Sequence, residues 1–192
     1  MENQVSSQPR IRLTPEEYLA LERKAEAKSE YLNGEMIPMP GVSRWHSLIA
    51  TNVMVDLGTQ LHDRPCEVHH DLRVKVSPTG LYTYPDVVVV SGQSIFEDAY
   101  IDTLPNPTLV FEILSKSTES YDRGEKFAHY RSVESLGEYV LVSQDNCRIE
   151  QFLRQSDGKW LYTETTDPNE TIELSSIACR LSVSRVYHRI EF

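Results

Sequence analysis

An α/β fold, with a mixed central sheet flanked by helices, is what this sequence predicts, and three observations carry that prediction. Val87-Val88-Val89-Val90 is an unbroken valine run with the composition of a strand buried on both faces. Leu109-Val110-Phe111-Glu112-Ile113-Leu114 is a second apolar run, interrupted by one acid. Ahead of both, Trp45, Ile49, Val53, Leu57 and Leu61 recur every four residues, the stripe of an amphipathic helix. Strands and helices mixed along one chain favour a sheet covered by helices.

The elements follow in order. Residues 1–12 read as a flexible polar arm and residues 13–192 as one domain, on length and patterning. Thr14, Pro15 and Glu17 form a helix start: an N-cap, a proline at the first position and a capping-box glutamate. That helix is expected to end near residues 28–29. Residues 31–38 read as a short strand with Asn33-Gly34 as a turn or bulge. Ser43 caps the long helix. Residues 65–76 read as one strand, 77–80 as a turn and 84–91 as the buried valine strand. Residues 92–107 form a polar loop, placed as a flap over a cleft. Residues 108–114 are the second buried strand, and 120–130 a helix with Phe127 and Tyr130 facing inward. Strands follow at 138–143, 149–154 and 160–165, the last two joined through Asp157-Gly158. Residues 172–174 lead to a terminal helix or strand at 181–187.

Composition narrows the function classes. The chain has 192 residues, enough to bury a sizeable core. No apolar stretch reaches the roughly 18 residues of a membrane helix, and the polar N-terminus has no signal-like apolar region. Three scattered cysteines, Cys66, Cys147 and Cys179, lack metal-ligand spacing and fit a reducing, cytoplasmic setting. The net charge is −10. Proteins that bind nucleic acid usually carry a basic footprint. Here the basic residues cluster on one face, or metal ions supply the positive charge, or the partner is not nucleic acid. No phosphate-binding glycine loop and no Gly-x-Ser-x-Gly elbow is present.

The chemistry-bearing candidates are acids at strand ends. Asp86 opens the valine strand; it either caps a turn or offers a ligand at the sheet end. Glu112 is flanked by apolar residues on both sides, and a buried carboxylate needs a cation or hydrogen-bond donors. It either pairs with a basic side chain or binds a metal with Asp86, because hard divalent cations prefer carboxylate oxygens. Asp122 and Lys126, four apart on a helix, share a face. They form either a surface pair or a lysine placed to orient water and stabilise developing charge. Glu35 is a candidate to complete the metal shell. His46 is a candidate for phosphate contact or proton transfer. Arg73 and Lys75 alternate on one strand face as the best basic pair for a phosphate backbone.

Taken together these residues resemble the Uma2 family of restriction-endonuclease-like proteins. The resemblance spans about residues 14–165 and rests on an ordered set: Tyr31-Leu32-Asn33-Gly34-Glu35, His46, Tyr84-Pro85-Asp86, the 107–118 segment with Glu112, Asp122 with Lys126 and Tyr130, and Glu138-Tyr139-Val140-Leu141-Val142. It implies a branch of the PD-(D/E)xK nuclease fold, with Asp86 and Glu112 as metal-binding acids and Glu35 as an additional one. The usual superfamily lysine follows the glutamate by two positions. Leu114 stands there, so the resemblance moves that role to Lys126.

The expected function is therefore Mg²⁺- or Mn²⁺-dependent endonucleolytic cleavage of DNA. The expected assembly is a homodimer with no membrane partner. The alternative is a non-catalytic module that keeps the nuclease fold and binds protein or nucleic acid.

Overall fold

The structure is a computed structural model that describes residues 12–192; the arm expected at residues 1–12 lies, apart from Arg12, outside them. Helix α1 (Pro15–Glu22) starts on the capping box: the Thr14 hydroxyl accepts from the Glu17 amide, and the Glu17 carboxylate accepts from the Thr14 amide. It ends six residues earlier than its sequence suggests, because Ser29 already belongs to a strand. The expected strand at 31–38 is a hairpin, β1 (Ser29–Leu32) and β2 (Glu35–Pro38). Asn33 (φ 52°) and Gly34 (φ 90°) make the turn, which favours glycine at the second position.

Helix α2 (Arg44–Leu61) forms as expected from the Ser43 cap. The expected strand at 65–76 is two strands, β3 (Cys66–His69) and β4 (Arg73–Val76), and they join different sheets. Asp71, at φ 59°, breaks the run between them. Then come β5 (Leu81–Thr83), β6 (Val87–Ser91), β7 (Thr103–Leu104) and β8 (Leu109–Leu114). The 92–107 segment is not a flap over the cleft described below. Its β7 pairs in parallel with β4, and its Glu97 accepts from Tyr82 at 2.8 Å, so it is fastened to the smaller sheet.

The helical stretch expected at 120–130 is a composite: α3 (Glu119–Tyr121), a wide π turn (Asp122–Lys126) and α4 (Phe127–Tyr130). Strands β9 (Glu138–Ser143), β10 (Ile149–Arg154) and β11 (Trp160–Thr165) follow, then β12 (Thr171–Leu174), β13 (Cys179–Ser182) and α5 (Val183–Val186). The C-terminal alternative thus resolves into both a strand and a short helix.

Among the described residues the larger sheet has six strands, ordered β11-β10-β9-β8-β6-β3. β8 pairs antiparallel with β6 and parallel with β9, which makes the sheet mixed. Alternation decides how it is covered. Val87, Val89, Leu109, Phe111 and Ile113 meet α2 through Ile49, Val53 and Leu57. Val88, Val90, Val110 and Leu114 meet the opposite layer, made of Val74, Val76, Leu81 and Leu104 of the five-stranded sheet with Phe127 and Tyr130. A strand covered on both faces has no use for a polar alternate position, which explains the valine run.

Candidate active site

Asp86 precedes β6, and alternation sets it on the face shared by Val88 and Val90. Glu112, within β8, shares its face with Val110 and Leu114. The antiparallel register pairs Val87 with Phe111; carried one step further, it sets Asp86 beside Glu112. β6 has ended there, and the Asp86 side chain takes over the ladder: its Oδ2 accepts from the Ile113 amide at 2.7 Å. Its Oδ1 lies 2.6 Å from Nε2 of His46. The cap of α2 delivers that imidazole, because Ser43 accepts from the His46 amide at 3.1 Å and its hydroxyl also donates to Gln144.

Glu112 is 4 % exposed and stands 2.8 Å from the ammonium of Lys126. The Tyr130 hydroxyl donates to it at 3.4 Å. Lys126, equally buried, also reaches Glu30 at 3.3 Å and Asp122 at 3.6 Å. Glu30 comes from β1 and accepts from the Thr83 hydroxyl of the neighbouring strand. Lys126 and Asp122 bracket the π turn, a departure from α geometry that is frequent where side chains are aimed at a site.

Three carboxylates thus surround one ammonium, with Asp86 adjoining. Burial pushes Glu112 well above the usual carboxylate range and raises Asp122 as well. Burial works against a charged Lys126, but the Glu112 and Glu30 charges outweigh it and hold its pKa well above the ordinary lysine value. The two results fit together once charge is counted. Lys126 is favoured as an ammonium, while burial first and the neighbouring Asp122 and Asp86 charges second make Glu112 the carboxyl that most readily takes up a proton. A site with surplus buried carboxylates is suited to a divalent cation, which would compete with protons for them. Among the described residues no three His, Cys, Asp or Glu side chains stand together as a ready-made metal cage. An Mg²⁺-type ion does not require one, since it keeps several waters and is bound through one or two carboxylates.

These groups line one cleft of about 670 Å³. Glu30, His46, Asp86, Glu112, Asp122 and Lys126 form its polar end, and residues 37–42 its apolar wall. Of the residues singled out in the sequence, His46, Asp86, Glu112, Asp122 and Lys126 converge here. Glu35, Arg73 and Lys75 do not line the cleft. Glu35 is on β2, where it is exposed. Arg73 is buried, pairs with Asp102 at 2.9 Å and donates to the Tyr84 hydroxyl at 2.7 Å. Lys75 pairs with Glu97. Glu30 lines the cleft without being singled out by the sequence; a strand that starts at Ser29 sets Tyr31, by period two, toward the Tyr18–Tyr82 cluster and Glu30 on the opposite face with Leu32.

Comparison with known proteins adds four findings. The model of the family Uma2, described as "Putative restriction endonuclease", matches residues 15–184. The uncharacterized protein sll1609 of Synechocystis sp. is 37 % identical over 164 residues, covering 85 % of this chain and 93 % of its own. The uncharacterized protein slr1290 of the same organism is 35 % identical, covering 97 % of both chains. The crystal structure of a "putative nuclease belonging to DUF820" from Anabaena variabilis superposes with a TM-score of 0.74 at 20 % identity, over 90 % of this chain and 96 % of that one. At that identity the likeness concerns the fold, and the mixed α/β fold expected from the sequence is the one observed.

Proposed function

The chain belongs to the Uma2 family, and from that premise we propose that it is a divalent-metal-dependent endonuclease hydrolysing phosphodiester bonds in DNA. The observation that carries the proposal is the placement of Asp86, just before β6, beside Glu112 of the adjacent strand, in one cleft where Glu112 pairs with the ammonium of Lys126. A binding module would not need buried acids gathered around a lysine.

In this reading Asp86 and Glu112 hold Mg²⁺ or Mn²⁺, and the further acid is Glu30 in place of Glu35. Bound there, the metal would polarise the phosphate and lower the pKa of a water. The attacking water gives up one proton to solvent at the cleft edge as its oxygen bonds to phosphorus, the bond from phosphorus to the leaving oxygen breaks, and that oxygen takes up a proton from solvent. Lys126 is no base, since its neighbours hold it protonated; it orients water and balances charge on the phosphoryl oxygens. Asp86 is oriented by the Ile113 amide and by His46, the one imidazole lining the cleft and the group placed to move a proton at its edge.

Supercoiled plasmid incubated with the protein should be nicked with Mg²⁺ or Mn²⁺ and left intact with EDTA. No nicking across metals and substrates would favour a non-catalytic module, a reading that the net charge of −10 supports. We propose a homodimer as the working assembly, the arrangement that the resemblance to nuclease-like domains implies. Light scattering at micromolar concentration should then give twice 22.0 kDa; a species of 22.0 kDa alone would exclude it.

A further inference from the structure

Resting on the nuclease reading, we infer that the cleft takes an unpaired nucleotide, so that the substrate is single-stranded or locally unpaired DNA rather than intact duplex. The first observation is charge. A duplex is held through phosphates neutralised by lysine and arginine. Among the described residues Lys126 is the one lysine or arginine in the cleft lining, and its ammonium already faces three carboxylates. The lining also carries Glu125, and the whole chain is at −10. Exposed Lys116 and Arg44 are chain neighbours of the lining residues Ser115, Ser117 and Ser43, enough for a single flanking phosphate.

The second observation is shape and polarity. The lining also includes an apolar strap containing Ile37, Met39 and Val42, and Ile37 and Val42 are 44 % and 64 % exposed. A phosphate backbone gains nothing from such a wall, whereas the face of an unpaired base can be buried against apolar side chains. About 670 Å³ lies within the range of pockets that enclose a small organic ligand. A nucleotide with its phosphate at Asp86 and Glu112 would turn its base onto the strap, as enzymes that extrude a base from the stack do.

The third observation is an orphaned polar group. Tyr121 lines the cleft, and its hydroxyl is buried without a hydrogen-bond partner among the described residues. Buried hydroxyls rarely go unmet. A nucleotide that shifted the Tyr121 ring on entering the cleft would offer the hydroxyl a base edge or sugar oxygen.

The test uses one fluorescein-labelled DNA strand, alone, annealed to its complement, and annealed so as to leave an unpaired flap. Cleavage is followed with Mg²⁺ and Mn²⁺, and binding by anisotropy with Ca²⁺. The single strand and the flap should be cut and bound at least about tenfold better than the duplex. Val42→Asp and Ile37→Asp, at exposed positions that do not threaten the fold, should erase that preference through a raised KM with kcat little changed. Equal or better cutting of duplex would overturn the inference and leave the nuclease reading standing. Absence of any cutting would sink the nuclease reading, and the binding arm would then decide this one. Tighter binding of the unpaired strand, lost in Val42→Asp, supports it; equal binding of strand and duplex overturns it.

Discussion

Replacing Lys126 by methionine should destabilise the fold by about 3–5 kcal/mol, the cost of breaking a buried ion pair from one side. For a chain of this size that corresponds to a fall in Tm of roughly 10 °C. The reason lies in what the side chain leaves behind. Lys126 is 4 % exposed, and its ammonium stands 2.8 Å from Glu112, 3.3 Å from Glu30 and 3.6 Å from Asp122. Methionine fills a similar volume but offers the three acids no charge and no donor. Part of the loss is recovered by protonation, so it should be largest at high pH. The double variant Lys126→Met with Glu112→Gln should be more stable than Lys126→Met alone, because one stranded carboxyl is gone. Thermal and urea melts of the four proteins close the cycle. A change within about 0.5 kcal/mol for the single variant, the size expected at an open surface, would mean that Lys126 does not balance these acids. Nicking by Lys126→Met therefore has to be read below its own melting range, where folded protein can be compared with folded protein.

Much of this arrangement was legible in the sequence, for identifiable reasons. Glu112 stands out because a carboxyl amid five apolar residues has to be satisfied by something, and Lys126 satisfies it. The 87–91 and 109–114 strands and the 44–61 helix came through because long, dense patterns resist ambiguity. Short elements did not. A single backbone reversal at Asp71 sends β3 and β4 into separate sheets, and side-chain alternation runs across that break unchanged. Glu35 is the acid the sequence singles out, just after the Asn33-Gly34 turn, whereas the pairing of β1 with β5 that turns Glu30 inward leaves no local signal. Arg73 looked like a free cation because its partner, Asp102, lies 29 residues away in a segment read as a loop. The π turn between Asp122 and Lys126 left no sign in a spacing of four that an α-helix explains equally well.

Glu112→Gln should leave the protein folded, lower cleavage by at least about a thousandfold, and change how stability depends on pH. The loss of activity follows from removing a metal-holding carboxylate, since electrostatic support of a phosphoryl transition state is the main service such a site provides. The pH effect follows from burial, which raises the Glu112 pKa well above its unfolded value. A carboxyl whose folded pKa is raised lets the folded protein hold a proton that the unfolded chain has released. Its contribution is therefore fully present below the unfolded value of about 4.3 and is lost as pH rises through the folded value. Metal-free wild type in EDTA should lose stability on moving upward through that window. Glutamine keeps the shape, cannot ionise, and can still accept from Lys126, so the variant should show a shallower slope, with the raised Asp122 supplying what remains. Added Mg²⁺ or Mn²⁺ should raise the Tm of wild type, most at the alkaline end where no proton competes, by the equivalent of about 2.7 kcal/mol at a hundred times Kd. The same additions should do little to Glu112→Gln. Melts across pH, with and without metal, read all of this without any assay of cleavage. A variant with wild-type slope and wild-type metal response would remove Glu112 from the proposed metal site even if nicking were abolished.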